Sequence, residues 1–559
     1  MTLRKIINDP HDFVDEVLDG IVRAHPDSYQ FASRDRRAVI APATPDKVGI
    51  VTGGGSGHLP LFLGYVGQGL ATGVAVGNVF SSPSPAQILA TTRAADSGRG
   101  VLYLYGNYGG DVYNFDLAAE QASLEGIPTR TVLGADDVFS APADKARTRR
   151  GIAGLVMVYK VAGAAAARGD DLDDVAAIAQ RAADAVRTAG VGLAPTILPA
   201  AGRPTFVLGD GEMEIGVGIH GERGIDTVQI PTAASIANTL FGSINAELQL
   251  DGDSRVAVLI NGLGATPLEE LYVLYSEVAR LVEAQGTHIA YNFVGEYATS
   301  LEMAGASVSI MKLDSELEDL LNEPARSPFY RPGTSIPEPV SRAETAQDEL
   351  SDDAVPTADF PSALRGALIA LAEELPTHED ELRDLDAALG DGDLGLTVSA
   401  GVAAIAQRLN DLPENTASSV LLRESAVAFA SANPSTFAAL LGSGMLAASA
   451  VVDDTSQVTV ATAVAIGRAI AEAIAQKGGA KLGDKTLLDV LVPALDEIER
   501  GTSSGELAAF LTRRVDEVAD LRSARGRAAW HQERSIGLKD PGSVAAAYAI
   551  EALSRYSGA

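Results

Sequence analysis

Three aspartates stand close together in the second half of the 559-residue sequence, and their spacing could form a metal site. In DAALGDGDLG, Asp386, Asp391 and Asp393 alternate with glycines that let the backbone turn tightly enough for carboxylate oxygens to converge. A divalent cation would neutralise their repulsion, and a motif without His or Cys favours Mg²⁺ over Zn²⁺. Because Asp and Gly also favour turns, a solvated acidic turn is the alternative.

Two further loops of the same half are rich in glycine and flank helical segments. They read GGAKLGDKTLLD (478–489) and ERSIGLKDPG (533–542). Such loops offer backbone N–H groups to phosphate oxygens, although each taken singly is more typical of an ordinary helix connection. Next to a three-aspartate metal site they suggest a nucleotide pocket, in a sequence without a GxxxxGK(S/T) or kinase-type GxGxxG loop.

Three glycine-containing motifs of the first half are candidates for a ligand site; the first and third follow strand candidates, and the second supplies further small polar side chains. They are TGGGSGHLP (52–60), GNVFSSPS (77–84) and GNYGGDVYNF (106–115). A glycine-rich turn after a strand is where an α/β sheet presents backbone donors to a small ligand. The first motif contains His58 and the third contains Asp111. A lone aspartate after a strand is more often a helix cap than a base, so Asp111 has both readings.

A second histidine has the same glycine-flanked setting. His220 lies in EMEIGVGIHGERG (212–224), between an apolar run and a turn, and of the seven histidines only His58 and His220 are placed in this way. A pocket of His58, Asp111 and His220 would hold a nucleophile, a hydrogen-bond donor and a general base. Sequence spacing does not establish that the three meet, and a structural role is the default for each one singly.

The elements that must position these motifs divide at a proline-rich, acidic stretch, 324–359. It contains six prolines and the run AETAQDELSDD, with too little apolar surface to offset the entropy of ordering the chain. We therefore predict a first domain over 1–330, an extended linker over 331–359 and a second domain over 360–559.

The two predicted domains differ in their hydrophobic patterns. Before the linker, short apolar runs such as 47–51, 100–105 and 255–260 end in glycine-rich turns and alternate with helical patterns. This predicts an α/β domain with buried strands, subdivided near 185–200. After the linker, strand signals nearly vanish, and 361–375 carries apolar residues at three- and four-residue spacings. The second domain is therefore predicted to be an all-α bundle or barrel.

Composition excludes several classes of function. The formal net charge of −31 argues against nucleic acid and anionic membrane surfaces as partners, and the absence of cysteine excludes disulfides and thiolate chemistry. The start, MTLRKIINDPHDF, lacks the apolar core of a signal peptide, so we expect a cytoplasmic protein. The apolar stretch 151–167 is short, rich in Ala and Gly, and contains Lys160, which favours a buried helix over a membrane span.

Taken in order, the motifs resemble those of the ATP-dependent dihydroxyacetone kinases, across nearly the whole chain. GGGSGH, NYxGDVxNF, EMExGxGIHGE and NGLGATPLEEL match the ketose-binding domain of that family. DAAxGDGDxG, GGAKxGDKTxLD and ERSIGxxDPG match its nucleotide-binding domain. The resemblance implies an α/β ketose-binding domain of two subdomains, followed by an all-α antiparallel eight-helix barrel that binds ATP.

The resemblance also implies roles for residues of the first domain. His220 would form a covalent hemiaminal with the carbonyl carbon of a small ketose, and Asp111 would accept the proton of the terminal hydroxyl as it attacks the γ-phosphate. His58 would hydrogen-bond that hydroxyl or the ketose oxygens. The residues expected to line the same pocket are Gly55, Ser56, Gly57 and Ser82.

For the second domain, the resemblance implies ATP as the phosphate donor, with Mg²⁺ on its phosphates held by Asp386, Asp391 and Asp393. The residues expected to contact the nucleotide are Leu394, Gly395, Leu396, Ser435, Gly478, Thr486, Leu487, Asp540, Pro541 and Gly542. It further implies a homodimer, with possible domain exchange between protomers.

Departures from the family pattern cluster around the sugar pocket. Gly106 stands where the family usually has Lys, Gly109 where it has Thr, Leu59 where it has Glu, and Arg223 where it has Pro. In the nucleotide loop, NPST (433–436) replaces GTSG, and only its serine, Ser435, is retained.

Loss of volume at the glycine positions leads us to expect a four-carbon ketose, D- or L-erythrulose, as the substrate, with dihydroxyacetone as the alternative. A ketose-sensing regulator without catalysis is the alternative of another class. Retention of Asp111 and of the three metal-site aspartates argues against that class.

Overall fold

The computed structural model describes residues 5–32, 34–42, 45–336, 357, 363–452, 454, 458–525 and 527–556. The chain divides into two compact units, Met1–Ala343 and Glu344–Ala559, and each is described by itself. Most of the predicted linker at 331–359 lies outside the described residues.

The first unit begins with a six-stranded sheet. Its strands are β1 (Gln30–Phe31), β2 (Ala38–Ile40), β3 (Gly49–Ser56), β4 (Gly73–Val79), β5 (Val101–Gly106) and β6 (Thr129–Gly134). In the order β1-β2-β4-β3-β5-β6, strands β3 to β6 are parallel, and their central members are buried almost throughout. The accompanying helices are α1 (Phe13–Ala24), α2 (Pro85–Ala95), α3 (Gly109–Leu124), α4 (Leu155–Arg168) and α5 (Leu172–Ala185).

A mixed seven-stranded sheet follows directly, because α5 ends at Ala185 and the next strand begins at Val186. Its strands are β7 (Val186–Ala194), β8 (Glu212–Ile215), β9 (Asp226–Gln229), β10 (Arg255–Gly262), β11 (His288–Gly295), β12 (Ala304–Leu313) and β13 (Thr334–Ser335). Their order is β13-β11-β10-β12-β7-β8-β9, and only the β10–β11 pair is parallel. The helices of this part are α6 (Ala233–Leu248), α7 (Leu268–Glu283) and α8 (Ser315–Asn322).

Helix α4 carries most of the apolar stretch that tempts a membrane interpretation. Twelve of its fourteen residues are buried, so it is an interior helix of the first unit, as the sequence predicts. Lys160 is satisfied there because its Nζ donates a hydrogen bond to the Leu320 carbonyl oxygen at 2.6 Å. No helix in the described part of the chain is long and apolar enough to cross a membrane.

The second unit has nine α-helices among its described residues. They are α9 (Ala363–Glu374), α10 (Glu379–Leu389), α11 (Leu394–Asn410), α12 (Ser418–Ala432), α13 (Thr436–Ala448), α14 (Val460–Gly478), α15 (Leu488–Glu499), α16 (Ser504–Ala519) and α17 (Pro541–Arg555). Side-chain caps at Ser435, Thr459 and Asp540 start three of them. The prediction of an α/β first domain and an all-α second domain is confirmed.

An apolar cavity of about 580 Å³ lies inside the helical unit. All of its helices except α10 contribute lining residues, among them Leu368, Phe429, Leu491 and Ala545. The buried faces of these helices are rich in Leu, Val, Ile and Ala at helical spacing, so their apolar stripes point inward around a common centre.

Candidate active site

The carboxyl ends of three neighbouring parallel strands, β3, β4 and β5, meet at one edge of the first sheet. Strand β4 lies on one side of β3, and the next strand in sequence, β5, lies on the other side. Such a reversal of strand order is the topological switch point, the place where α/β sheets hold ligands. The residues predicted to line the substrate pocket lie at or just after these strand ends. They are Gly55, Ser56, Gly57 and His58 at β3, Ser82 after β4, and Asp111 after β5.

The turn after β3 packs tightly against the loop after β4. A Cβ atom at Gly55 would lie 2.7 Å from the backbone of Phe80 and Ser81, so glycine is required there. Phe80 has a left-handed backbone with φ of 55°, and its ring stacks on His58 with centroids 4.8 Å apart. Bulky residues rarely hold this backbone conformation, and where they do the position often shapes a site.

His58 is fixed in one tautomer by the backbone of the second sheet region. It is only 1 % exposed, and its Nδ1 lies 2.8 Å from the Thr299 carbonyl oxygen. A carbonyl can only accept, so Nδ1 carries the proton, and Nε2 has no hydrogen-bond partner among the described residues. Burial, then the charge of His220, lowers the pKa of His58 to about 3. The neutral ring therefore offers Nε2 as an acceptor, which suits a hydrogen bond from a substrate hydroxyl.

His220 packs edge-to-face against His58. Their ring centroids are 4.9 Å apart at 78°, and Tyr108 packs edge-on against His220 with centroids 4.7 Å apart. The Nδ1 of His220 lies 2.9 Å from Oε1 of Glu222, while its backbone N–H donates to Oε2 at 2.9 Å. With its Nδ1 proton on the carboxylate, His220 presents the lone pair of Nε2, which is the form that a nucleophile needs.

Asp111 lies in the first turn of α3 and is 7 % exposed. Burial raises the pKa of its carboxyl to about 6, against the hydrogen bond from Ser82 and the charge of His220, which both lower it. Its Oδ1 has no hydrogen-bond partner within the described residues. A buried carboxylate with a raised pKa and a free oxygen is suited to accept a proton near neutral pH.

A short segment at 299–301 joins the two histidine-bearing turns. The Leu301 N–H donates to the Gly57 carbonyl at 2.7 Å, and the Ser300 hydroxyl donates to the Ile219 carbonyl at 2.5 Å. The segment thus fixes the distance between the β3 turn and the turn that carries His220. His58, His220, Asp111 and Ser82 are brought together although they are far apart in sequence.

Four residues of this site were not singled out from sequence. They are Glu222, Thr299, Phe80 and Tyr108. Glu222 had a signal, because it follows His220 by two residues in a turn where a carboxylate can fold back onto the ring. Thr299 had none, since it acts through its carbonyl oxygen, which every residue type carries.

The three aspartates of the second unit converge. Each of Asp386, Asp391 and Asp393 offers a carboxylate oxygen within 4.8 Å of the others. Oxygens around an octahedral Mg²⁺ lie about 3 to 4 Å apart, so small side-chain rotations complete the fit. Burial, then the charge of Asp386, raises the pKa of Asp393. Crowded like charges of this kind are what a bound cation relieves.

The residues predicted to contact the nucleotide lie at helix ends. Leu394 and Gly395 begin α11 beside the aspartates, and the Asp393 N–H donates to Oδ2 of Asp386 at 2.9 Å. Gly395 packs directly against the Glu379 carbonyl oxygen, which leaves no room for a side chain. Leu396 is exposed.

The two glycine-rich loops of the second unit meet each other. The Ser543 hydroxyl donates to the Thr486 carbonyl at 3.0 Å, and a Cβ atom at Gly542 would lie 3.7 Å from that of Leu487. Asp540 caps α17 by accepting the Ser543 N–H at 2.7 Å, with Pro541 in the first turn. Burial raises the pKa of Asp540 to about 6.

Ser435 and Gly478 lie at the ends of α13 and α14. Ser435 accepts the Ala438 N–H at 3.1 Å, and the neighbouring Asn433 donates to the Thr397 hydroxyl of α11 at 2.8 Å. The NPST loop is therefore tied to the helix that starts at the aspartates. Gly478 lies beside α13, where Leu440 is its neighbour.

Comparison with known proteins agrees with this arrangement in both units. Residues 19–329 match the Dak1 domain and residues 388–555 match the DAK2 domain. The chain belongs to the dihydroxyacetone kinase family. The sequence-based resemblance is confirmed, and one family domain matches each of the two units described above.

Two curated relatives from Mycolicibacterium smegmatis match this family member almost end to end. The L-erythrulose 1-kinase is 37 % identical and the alignment covers 99 % of each chain. The D-erythrulose kinase is 38 % identical over 98 % of this chain and 97 % of its own. A solved dihydroxyacetone kinase of C. freundii, in complex with AMP-PNP and Mg²⁺, has a TM-score of 0.62 and 27 % identity, with 99 % of each chain covered. The expectation of a kinase is confirmed.

The two pocket glycines that depart from the family pattern differ in their surroundings. A Cβ atom at Gly106 would lie 3.1 Å from both the Tyr108 ring and the Gly151 carbonyl oxygen. The space beside Gly106 is therefore closed by Tyr108 and not simply left open. A Cβ atom at Gly109 would meet nothing within 4 Å among the described residues. The space beside the backbone is therefore closed at Gly106 and open at Gly109, which is exposed, and enlargement of the pocket stays a prediction.

Asp111→Asn is expected to lower turnover with ATP and ketose at least about 100-fold, the usual contribution of a general base. For the unchanged protein, kcat/KM is expected to fall as the pH drops through about 6, because a protonated Asp111 cannot accept the hydroxyl proton. Asp116→Asn, an exposed position on the same helix, is the control. Full turnover by Asp111→Asn would remove Asp111 from the role of base.

The same substitution is expected to stabilise the fold at neutral pH. The folded pKa of about 6 lies above the reference value of 3.8, so ionising Asp111 costs folding free energy as the pH rises through that window. Asp111→Asn lacks this charge, so its free energy of unfolding is expected to exceed that of the unchanged protein by an amount that grows to about 1–3 kcal/mol between about pH 4 and pH 7. Thermal unfolding at several pH values measures the gain, and a constant difference would contradict the buried-charge explanation.

Asp393→Asn is expected to weaken Mn²⁺ binding, measured by calorimetry with a non-hydrolysable ATP analogue, by about tenfold or more. Asp384→Asn, an exposed position on α10, removes the same charge outside the cluster and should leave the affinity unchanged. Equal affinities for both variants would rule out a metal site at the three aspartates.

Proposed function

We propose that the protein is an ATP-dependent kinase that phosphorylates a terminal hydroxyl of a four-carbon ketose, erythrulose. The observation that carries the proposal is the contact between His220 and Glu222, whose carboxylate holds the Nδ1 proton and leaves the lone pair of Nε2 available as a nucleophile. Only a substrate with a carbonyl carbon can use such a group, which selects ketoses over polyols. The two full-length relatives named as erythrulose kinases support the four-carbon substrate.

Dihydroxyacetone is the alternative substrate, supported by the similarity to the C. freundii dihydroxyacetone kinase. A ketose-sensing regulator needs neither a base nor a metal site. The buried, unpartnered oxygen of Asp111 and the convergent aspartates therefore favour the enzyme over the regulator.

In the proposed reaction, each pocket residue has one task. The Nε2 of His220 forms a bond to the ketose carbonyl carbon and holds the sugar as a hemiaminal. The Nε2 of His58 accepts a hydrogen bond from a substrate hydroxyl and orients it. Asp111 accepts the proton of the terminal hydroxyl as its oxygen attacks the γ-phosphate, and the Ser82 hydroxyl steadies that carboxylate.

For the second unit, we propose that Asp386, Asp391 and Asp393 hold Mg²⁺ with ATP. When bound, the cation would neutralise the negative charge of the phosphates. The proposed nucleotide contacts are the helix ends and loops at Leu394, Gly395, Leu396, Ser435, Gly478, Thr486, Leu487, Asp540, Pro541 and Gly542. The N-terminal ends of α11, α13 and α17 direct backbone N–H groups outward, which suits phosphate oxygens.

We further infer that the helical unit is a closed antiparallel barrel of eight helices. Neighbouring helices pack in sequence from α11 to α17, and α17 and α11 both contact α9, which would close the ring. All eight of these helices, and not α10, contribute to the central apolar cavity. The family resemblance also supports a cytoplasmic homodimer with possible domain exchange, and domains at 1–330 and 360–559 joined by a linker at 331–359.

A comparison of kcat/KM for D-erythrulose, L-erythrulose and dihydroxyacetone, with ATP and Mg²⁺, tests the substrate. At least one erythrulose enantiomer is expected to exceed dihydroxyacetone by about 10-fold, the discrimination available to one extra carbon in a fitted pocket. A clear preference for dihydroxyacetone would make the alternative substrate correct.

Gly106→Ala tests whether Tyr108 forms a wall of the ketose pocket. The added methyl group should push the Tyr108 ring away from His220. The lost contact is expected to weaken ketose binding by about 1 kcal/mol, which raises KM for the ketose several-fold. Gly109→Ala adds the same methyl group in open space and is the matched control. Equal KM values for both variants would show that Tyr108 does not shape the pocket.

A further inference from the structure

We propose that Glu222 is a positioning residue, which keeps His220 in the one tautomer able to attack a carbonyl carbon. The inference rests on the proposed covalent role of His220 and adds a residue through which that role is set. Glu222 accepts two hydrogen bonds from the same residue, the backbone N–H of His220 at Oε2 and the ring Nδ1–H at Oε1, each at 2.9 Å. These two contacts fix both the ring orientation and the position of its proton.

The carboxylate must be ionised to act in this way, and its surroundings keep it so. Burial opposes ionisation, but the hydrogen bond and charge of His220, together with Arg150, lower the pKa of Glu222 to about 2. Arg150 lies 3.9 Å from Glu222 Oε2. It is itself held by Asp137 at 2.7 Å and by the Gly216 carbonyl at 2.9 Å. An ionised carboxylate is an acceptor only, so Nδ1 of His220 has to carry a proton.

The backbone leaves room for this arrangement at one position. A Cβ atom at Gly218 would overlap both Oε2 of Glu222 and Nη1 of Arg150. Any larger residue at 218 would therefore displace the carboxylate from His220. The second glycine of the GxGIHGE sequence, Gly218, is therefore needed for the contact between Glu222 and His220 as well as for the turn.

In the covalent step, the ionised Glu222 is a fixed negative charge beside His220. The Nε2 lone pair of His220 forms the N–C bond, and the carbonyl π pair moves onto the ketose oxygen, which takes a proton from the solvent. The ring then carries a positive charge, with Nδ1–H on the ionised Glu222. A carboxylate at this distance stabilises an imidazolium as it forms, as in hydrolases with a carboxylate-oriented histidine.

Glu222→Gln keeps the size of the side chain but removes one acceptor oxygen, so it tests the effect of Glu222 on the His220 ring without changing the packing. Glutamine has one acceptor oxygen, and the backbone N–H of His220 can only donate, so that oxygen is expected to remain on the backbone. The glutamine NH₂ then faces Nδ1 and makes it an acceptor, which moves the ring proton to Nε2 and removes the nucleophilic lone pair. A wrong tautomer of this kind is expected to lower kcat on the order of 10³-fold or more.

Two variants complete the set. Glu222→Asp keeps two acceptor oxygens on a shorter side chain and is expected to restore the wild-type tautomer and part of the turnover. Glu214→Gln makes the same chemical change at a buried glutamate of the same region, which accepts from the Gly224 N–H at 2.8 Å and the Thr227 hydroxyl at 2.6 Å. It does not touch His220 and is expected to leave the tautomer unchanged.

The tautomer is read by ¹⁵N NMR on the full chain with ¹⁵N-labelled histidine, with His220 assigned from the spectrum of His220→Gln. The adduct is read independently by ¹³C NMR with ketose labelled at its carbonyl carbon. Protonated Nδ1 in the unchanged protein and in Glu214→Gln, with protonated Nε2 and no adduct in Glu222→Gln, is the expected result. Protonated Nε2 in the unchanged protein overturns the proposal, even if Glu222→Gln fails to fold.

The two readouts distinguish this inference from the function on which it rests. An unchanged protein without a ¹³C adduct, but with protonated Nδ1, would refute the covalent step and leave the action of Glu222 on the ring intact. An adduct that persists in Glu222→Gln, with wild-type kcat/KM, would refute the role of Glu222 and leave the ketose kinase assignment intact.

Discussion

The chemistry of the ketose pocket depends on where two ring protons reside. A backbone carbonyl holds the Nδ1 proton of His58, and a carboxylate holds that of His220. Each contact leaves the opposite nitrogen of the ring, Nε2, with a lone pair. The 299–301 segment keeps the two histidine-bearing turns in place through its hydrogen bonds to the Gly57 and Ile219 carbonyls.

Two carboxylates in one pocket are given opposite properties by their surroundings. Burial dominates at Asp111 and raises its pKa to about 6, although the Ser82 hydroxyl donates a hydrogen bond to the carboxylate. Glu222 receives two N–H donors and faces a guanidinium, so its pKa falls to about 2 despite burial. Two carboxylates whose pKa values are this far apart can take different tasks: Asp111 that of a proton acceptor, and Glu222 that of a permanent anion.

Local features of this chain could be predicted from sequence, and features formed by distant segments could not. The three aspartates lie within eight residues, so their spacing indicated a cluster that the structure brings together. His58, Asp111 and His220 were selected because each follows a strand in a glycine-rich turn, but nothing in sequence shows which turns face one another. The closed space beside Gly106 could not be predicted, because it depends on the direction of the Tyr108 ring, which no sequence pattern encodes.

The Nδ1 contact of His58 spans 241 residues of chain, from the first sheet to the strand region after β11. Contacts of such long sequence separation form slowly in folding, since the chain between them must be ordered first. A molecule with only its first sheet folded would already have the glycine turn, yet its histidine ring would be free to exchange tautomers. The proton position on His58 is therefore set only once the two sheets are joined.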